Sequence, residues 1–292
     1  MDLSIIIVNY NTKELTLQTL RSIYAGNNKF LYEVILVDNA SKDDSVEVFK
    51  KEFPQVKLIE NNQNLGFSKA NNIGIKMAGG RYILLLNSDT LVIEDTLEIM
   101  IKFMDTHLDV GAAGCKVELP DGSLDKACKR SFPTPQNALY HALKLDHIFP
   151  HHKKFGEYNL TFLDENQTHE VDCLVGAFML IRREVIEQVG LLDEDFFMYG
   201  EDIDWCYRIK QVGWKIVYYP KTKIIHYKGG SSKKKNPKLI YEFYRAMYLF
   251  YHKHYRYKYP WSVKCITYTG IGVMLAIKLL FNWFKGFRRH EK

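Results

Sequence analysis

The chain has 292 residues, a net charge of +6, 47% apolar and 25% charged residues, which is ordinary for one large globular unit or two modest ones. That charge suits an anionic substrate or an anionic membrane surface and is too small to argue for nucleic acid. The five cysteines are odd in number, widely spaced and without a Cys-x-x-Cys, which excludes a zinc ribbon and a disulfide framework and reads as free thiols in a reducing compartment.

Met1-Asp2-Leu3-Ser4 has no basic n-region and runs straight into Ile5-Ile6-Ile7-Val8, so the chain is expected to begin in the cytoplasm, directly on a strand. That strand, Leu3 to Val8, ends at Asn9-Tyr10-Asn11-Thr12, and a helix follows over Lys13 to Tyr24. Val34 to Val37 is the second strand, ending at Asp38-Asn39-Ala40-Ser41, with a helix over Asp43 to Glu52. A short third strand, Val56 to Ile59, precedes Leu65-Gly66-Phe67 and a helix reaching Met77. The fourth strand, Ile83 to Leu86, is an apolar run without alternation, as expected of a strand covered on both faces. It ends on Asn87-Ser88-Asp89, and a helix follows over Leu97 to Met104.

Four apolar runs alternating with helices at roughly 25-residue intervals predict βαβ units and a mainly parallel sheet. Ligands of such sheets bind at the carboxyl ends of the strands. Asn9, Asn11, Asp38, Asn39, Asn87 and Asp89 gather there as a nucleotide-sized polar rim. Asp89 stands where a carboxylate holds a hard cation such as phosphate-bound Mg²⁺ or Mn²⁺. Alternatively, Asn87-Ser88-Asp89 is only a turn capping a helix that starts near Glu94. No Gly-x-Gly-x-x-Gly and no Gly-Lys-Ser/Thr loop follows the first strand, which speaks against a nicotinamide enzyme and a P-loop NTPase.

Val110 to Glu118 is another strand, after which periodicity decays from Pro120 to Thr168. His141, His147, His151, His152 and His169 fall in or beside this stretch at spacings that fit no metal motif. Residues 120–170 therefore read as an insertion over the site, where acceptor choice is made. Order returns with a strand over Ala177 to Ile181, a helix over Arg182 to Val189, and a helix over Glu201 to Gln211 with acids in its first turn. Strands Lys215 to Tyr219 and Lys223 to His226 close the domain. Beyond them come a basic hinge, Gly229 to Pro237, and a helix over Leu239 to Tyr259 with Ile240, Phe243, Met247, Phe250 and Tyr251 on one face. Cations interleaved with tyrosines suit a membrane interface. Ile266 to Phe284 is almost wholly apolar and approaches a membrane span in length, but Lys278 and two glycines favour an in-plane or re-entrant helix pair on the cytoplasmic leaflet over a span.

Five motifs in order carry a resemblance: Val-Asp-Asn-Ala-Ser at 37–41, Asn-x-Gly-Phe-x-x-Ala-Asn-Asn at 64–72, Asn-Ser-Asp at 87–89, Gly-Glu-Asp-x-Asp-Trp at 200–205 and Ile-His-Tyr at 225–227. Residues 3–230 thereby resemble the family 2 glycosyltransferases, within them the rhamnosyltransferase-like branch. The resemblance implies an α/β GT-A fold over residues 1–230, with residues 231–292 as a C-terminal membrane-associating region. It implies an inverting transferase taking a nucleoside-diphosphate sugar, with rhamnose from a thymidine donor suggested by the branch. Asp38 matches the acid at the base or ribose, with Asn9 and Asn11 beside it; Asn64, Asn87, Ser88 and Asp89 complete the donor side. Asp89 matches the last carboxylate of the family's Asp-x-Asp metal motif, and His226 a histidine that completes the Mg²⁺ or Mn²⁺ site. Asp202 matches the general base. Glu201 and Trp205 fall on the acceptor side, with Trp205 and Arg208 expected to pack beneath it.

One departure from the family pattern is Asn87, which stands where the metal motif has its first Asp. The implied acceptor is a saccharide or lipid-linked saccharide at the inner face of the cell membrane. The alternatives are transfer to polyprenyl phosphate, which needs no base, and a non-catalytic sugar-nucleotide or membrane-binding protein.

Overall fold

In the computed structural model, residues 1–26, 29–93, 95–228 and 236–290 are described. Glu94 and the basic run Gly229 to Lys235 lie outside them. The chain order is β1 (Leu3–Asn9), α1 (Lys13–Ala25), β2 (Tyr32–Asp38), α2 (Ser45–Glu52), β3 (Lys57–Glu60), α3 (Phe67–Met77), β4 (Tyr82–Asn87), β5 (Thr90–Val92), α4 (Thr96–Thr106) and β6 (Val110–Glu118). The insertion holds a 3₁₀ turn (Lys126–Cys128), α5 (Pro135–Ala142) and α6 (Leu145–Ile148). Then come β7 (His169–Glu170), β8 (Phe178–Arg182), α7 (Arg183–Val189), α8 (Glu201–Gln211), β9 (Lys215–His226), α9 (Pro237–His254) and α10 (Trp261–His290).

The strands form one mixed sheet in the order β3-β2-β1-β4-β8-β6-β9-β5, with β7 also on β9. The β1–β2, β1–β4 and β2–β3 pairs are parallel, as the alternating pattern predicts. Antiparallel β8 then separates β4 from β6. Ile5 to Ile7, Leu36, Ile83, Leu84 and Met179 are almost wholly buried, so successive residues on both faces are covered. Leu84→Ala in such a place removes contacts on every side, and core truncations of this kind cost about 2–5 kcal/mol.

Two expectations are corrected. Strand β5 begins directly after Asp89, and its Thr90 pairs with His226 of β9. Asn87-Ser88-Asp89 therefore joins two strands and does not cap α4. The two short strands at the end of the domain are one strand, β9, which keeps pairing with β6 through a bulge: Cys115 opposes Tyr219 and Lys116 opposes Lys223. The C-terminal apolar segment is one continuous helix, α10, which pairs with α9.

Helix α9 faces the domain on one side and solvent on the other. Phe250 and Tyr251 are buried with Phe196 and Tyr255, while Phe243 and Met247 of the same apolar set stay exposed. Lys253 pairs with Asp193 and Asp195, and His254 Nε2 lies 2.7 Å from Asp204 Oδ1 of α8. Helix α10 packs back on α9 through Tyr268, whose hydroxyl lies 3.0 Å from His252 Nδ1. None of its stretch Trp261–Phe284 is buried, and the most apolar 18 residues within it have a mean hydropathy of 1.6. All five cysteines are free, four buried and Cys265 exposed.

Candidate active site

The candidate donor rim is built from the ends of β1 and β2. Asn9 is fully buried: its Nδ2 donates to Asp38 Oδ1 (2.7 Å) and Ser41 Oγ (2.9 Å), and its Oδ1 accepts from Thr12 and Thr16. With every polar atom engaged, Asn9 orients Asp38 and leaves ligand contact to others. Asp38 Oδ2 accepts from the Ser41 amide at 2.9 Å. Asn11 takes a left-handed conformation and its Oδ1 accepts from the Lys42 amide at 2.7 Å. Beside them opens a cleft of about 580 Å³, lined by Asp38, Ser41, Lys42, Asp44, Glu60 and Asn61.

Asn39, read from the sequence as a member of the polar rim without a role of its own, ties this rim to the loop before α3. Its amide donates to Asn64 Oδ1 (3.0 Å) and Gly66 O (3.1 Å), and its oxygen accepts from Asn61 and from Leu65 N. Gly66 has φ +84°, and a Cβ there would stand 2.4 Å from the Phe197 carbonyl. Only glycine fits both the backbone angle and the approach of the 197 loop.

Asp89 and His226 meet because β5 and β9 pair. His226 Nε2 lies 3.1 Å from Asp89 Oδ1 and 3.3 Å from Asn87 Nδ2. On the other side of the ring, Nδ1 lies 3.4 Å from Asp125 Oδ2. Burial alone would lower the His226 pKa, but Asp125 and Asp89 outweigh it and raise the imidazole to about 9. Burial pulls Asp125 upward, yet His226 and Lys228 hold it well below the usual carboxylate range. Ser88 points away from the crevice: its hydroxyl is buried 3.2 Å from Thr12 Oγ1.

Among the described residues, no three His, Cys, Asp or Glu side chains are grouped to hold a metal. Asp89 and His226 do offer a carboxylate oxygen and an imidazole nitrogen to one point. Two such donors fit a cation of the Mg²⁺ or Mn²⁺ type, which takes its remaining ligands from water and substrate phosphates.

Asp202 lies in the first turn of α8. Arg130 Nη2 donates to Asp202 Oδ2 at 2.7 Å, and the Ile203 amide donates to Oδ1 at 2.8 Å. Arg130 is itself fixed by the carbonyls of Ala127 and Leu174. Asp125 and Arg130 thus flank a single 3₁₀ turn of the insertion, one reaching His226 and the other Asp202. Five residues of chain span at most about 18 Å, so this turn sets an upper limit on how far apart the two anchor points lie.

Trp205 is fully buried, its indole N–H donating to Gly190 O at 2.9 Å, so it packs in the core beneath the site and lines nothing. Arg208 braces α8 through Asp204 and the carbonyls of Val189 and Leu191. The insertion histidine His141 pairs with buried Asp146, which also accepts from Asn159, a link that knits the insertion.

Glu201 is buried and its Oε2 has no partner among the described residues. Burial first, then the neighbouring Asp202 charge, push its carboxyl up to about 8. A carboxyl whose pKa rises on folding contributes stability in full below its unfolded value and loses it as pH climbs through the folded one. That window runs from 4.5 to about 8. Glu201→Gln is expected to flatten the decline of Tm across it, and an unchanged pH profile would count against a buried neutral acid at this position.

A family model described as "Glycosyltransferase like family 2" matches residues 2–244. An N-acetylglucosaminyl-diphospho-decaprenol L-rhamnosyltransferase of Mycobacterium tuberculosis is 28% identical over 228 residues, covering 74% of this chain and 73% of that protein. The low-salt glycan biosynthesis hexosyltransferase Agl10 of Haloferax volcanii is 29% identical, over 72% of this chain and 62% of its own length. Among solved structures, the Pyrobaculum calidifontis mannosyltransferase PcManGT, in complex with GDP-Man and Mn²⁺, superposes with a TM-score of 0.60 at 20% identity, over 96% of this chain and 71% of its own. Staphylococcus aureus TarS 1–349 gives 0.56 at 17% identity, with this chain spanning 64% of that one. Sheet order, motif order and these likenesses agree: the chain is a GT-A-fold, rhamnosyltransferase-like enzyme that belongs to glycosyltransferase family 2.

Proposed function

We propose that this glycosyltransferase moves a sugar, with inversion, from a nucleoside-diphosphate donor to a saccharide hydroxyl on a lipid-linked acceptor in surface-polysaccharide synthesis. The turn at 125–130 carries the reading, because its two ends hold the Asp202 and the Asp89–His226 groups. An acceptor hydroxyl is a poor nucleophile, and Asp202 takes its proton as the bond to the anomeric carbon forms. Arg130 aims that carboxylate. Asp38, seated by Asn9 and flanked by Asn11, receives the base or ribose at the cleft. Asn64 and Asn87 border the donor, and Ser88 supports the rim from beneath. Asp89 and His226 would hold a divalent cation, Mg²⁺ or Mn²⁺, which when bound stabilises the charge developing on the leaving diphosphate. With one base and no enzyme nucleophile, displacement is direct and the anomeric centre inverts. Glu201, on the acceptor side, stays neutral beside Asp202.

The name of the Mycobacterium tuberculosis relative supports L-rhamnose as the sugar and a lipid diphospho-saccharide as the acceptor. Residues 1–230 form the catalytic domain with residues 120–170 over its acceptor side, and residues 231–292 attach it to the cytoplasmic face of the membrane. Helix α10 is the attachment: its 24-residue apolar stretch is about 36 Å long, enough to cross a hydrocarbon core of about 30 Å.

The deciding experiment incubates the full chain in detergent with thymidine- or uridine-diphosphate sugars and a prenyl-diphospho-N-acetylglucosamine acceptor, with product mass and anomeric configuration read by mass spectrometry and NMR. Transfer with inversion supports the reading; no transfer from any donor, or retention, overturns it. A nucleoside diphosphate at a hundred times its dissociation constant, with Mn²⁺, is expected to stabilise the protein by about 2.7 kcal/mol. The matching thermal shift should vanish in Asp89→Ala or with chelator, and a shift that survives both would remove the cation from the donor site.

A further inference from the structure

The metal motif on β4 has one carboxylate, because Asn87 stands where a second Asp is expected. A second carboxylate nevertheless reaches the same histidine, from the opposite side and from a different part of the chain. Asp125 follows the hairpin that leaves β6, in which the Leu119 amide donates to Ser123 O and the Asp125 amide to Val117 O. Its Oδ1 accepts from the Ala127 amide (3.1 Å) and from Lys228 Nζ (2.9 Å). That leaves Oδ2 facing His226 Nδ1, with both side chains almost fully buried.

We propose that Asp125 is the positioning residue of the cation site: it fixes the His226 ring and its Nδ1–H tautomer, so that the Nε2 lone pair faces the same point as Asp89. The proposal rests on the Asp89–His226 cation reading above. Three contacts support it. A carboxylate can only accept, so the hydrogen between Asp125 and the ring belongs to Nδ1. Asn87 Nδ2, 3.3 Å from Nε2, is a donor that suits a lone pair there and would clash electrostatically with an N–H. Asp89 Oδ1, 3.1 Å from Nε2, is an acceptor: without a cation it receives a hydrogen from Nε2, and a bound cation takes the place of that hydrogen and satisfies both atoms, while Asp125 keeps the Nδ1–H. Asp125 also restores the negative charge that Asn87 removes from the β4 motif, at a position where it touches the histidine and not the substrate. Partners that orient a ligating histidine in this manner typically change metal affinity by about 10–100-fold when replaced.

Asp125→Asn is the informative variant. Asn can still accept from the Ala127 amide through its oxygen, which turns its NH₂ toward His226 Nδ1. That geometry favours the opposite tautomer and puts a hydrogen on Nε2, where the cation would sit. The experiment is a Mn²⁺ titration of the full chain, with and without uridine diphosphate, read by the EPR signal of free Mn²⁺. Wild type, Asp125→Asn, Asp125→Glu and His226→Ala are compared. Imidazole ¹⁵N shifts of His226 are recorded on the wild type with Mg²⁺. The expected result is a roughly 10–100-fold weaker Mn²⁺ affinity in Asp125→Asn, partial recovery in Asp125→Glu, and an Nδ1–H signature in the wild type. Affinity within twofold of wild type in Asp125→Asn, while His226→Ala weakens binding, overturns the role of Asp125 and leaves the cation reading standing. Unchanged Mn²⁺ affinity in His226→Ala overturns both. An Nε2–H signature in the Mg²⁺-bound wild type overturns the proposal without any variant, so it stays testable even if Asp125→Asn fails to fold.

Discussion

Asp202→Asn is expected to lower kcat by about 10²–10⁴-fold, the range that a positioned general base contributes. Asn keeps the size of the side chain and can still accept from the Ile203 amide. It cannot take a proton. The substitution also leaves Arg130 without its anion, and both groups are mostly buried, with side-chain exposures of 10% and 12%. Breaking a buried pair by removing one partner costs about 3–5 kcal/mol, so the variant should melt earlier as well. The two effects separate cleanly: donor KM and the nucleotide-induced thermal shift, measured below the variant's Tm, should stay near wild type while kcat collapses. A loss of less than tenfold in kcat would point instead to an acceptor that is already an anion, such as polyprenyl phosphate, which needs no base.

Deleting residues 261–292 is expected to move the protein from the membrane fraction to the supernatant. The apolar stretch Trp261–Phe284 has no buried residue, and exposed side chains include Trp261, Ile266, Phe281 and Trp283. Burying one such side chain is worth about 1.5–3 kcal/mol, so the helix as a whole is expected to hold the chain on a bilayer. The truncation should leave the rest folded, because α9 is anchored to the domain by Phe250, Tyr251, Lys253 and His254, independently of α10. Co-sedimentation with vesicles containing anionic lipid, alongside the melting curve of the truncated chain, checks both halves. Continued sedimentation of the truncated chain would transfer the membrane contact to α9, where Tyr241, Phe243 and Met247 remain exposed.

Much of the donor half was legible because its strands are uninterrupted apolar runs that stop on polar residues. Ile5 to Ile7 and Ile83 to Leu86 announce β1 and β4 without help from anything distant. Strand β5 was not legible: three residues carry too little pattern, and its existence depends on β9, whose Ile224 to His226 lie far along the chain. Pro220 and the bulge opposite Cys115 and Lys116 hid the continuity of β9. Asp89 and His226 could be named as partners only through the family motif. Asp125 and Arg130 could not be named at all. They lie in a stretch without periodicity, and their partners stand 101 and 72 residues away in sequence. The acidic first turn of α8 was visible, but nothing in its spacing distinguishes Asp202, turned to Arg130, from Asp204, turned to α9 and His254.

The pairing of β5 with β9 also sets an order of events during synthesis. When Asp89 is added to the nascent chain, 137 residues remain to be added before His226 exists. At about 5–20 residues per second this is on the order of ten seconds. During that interval the nascent chain can assemble β3, β2, β1 and β4, but β4 has an open edge until β8 arrives. An unpaired, apolar edge strand is a template for wrong partners. The Asp89–His226 pair and the sheet are therefore completed together, late, and just ahead of α10. On the proposed function, the nascent protein becomes competent to bind its donor shortly before α10, the proposed membrane attachment, is made.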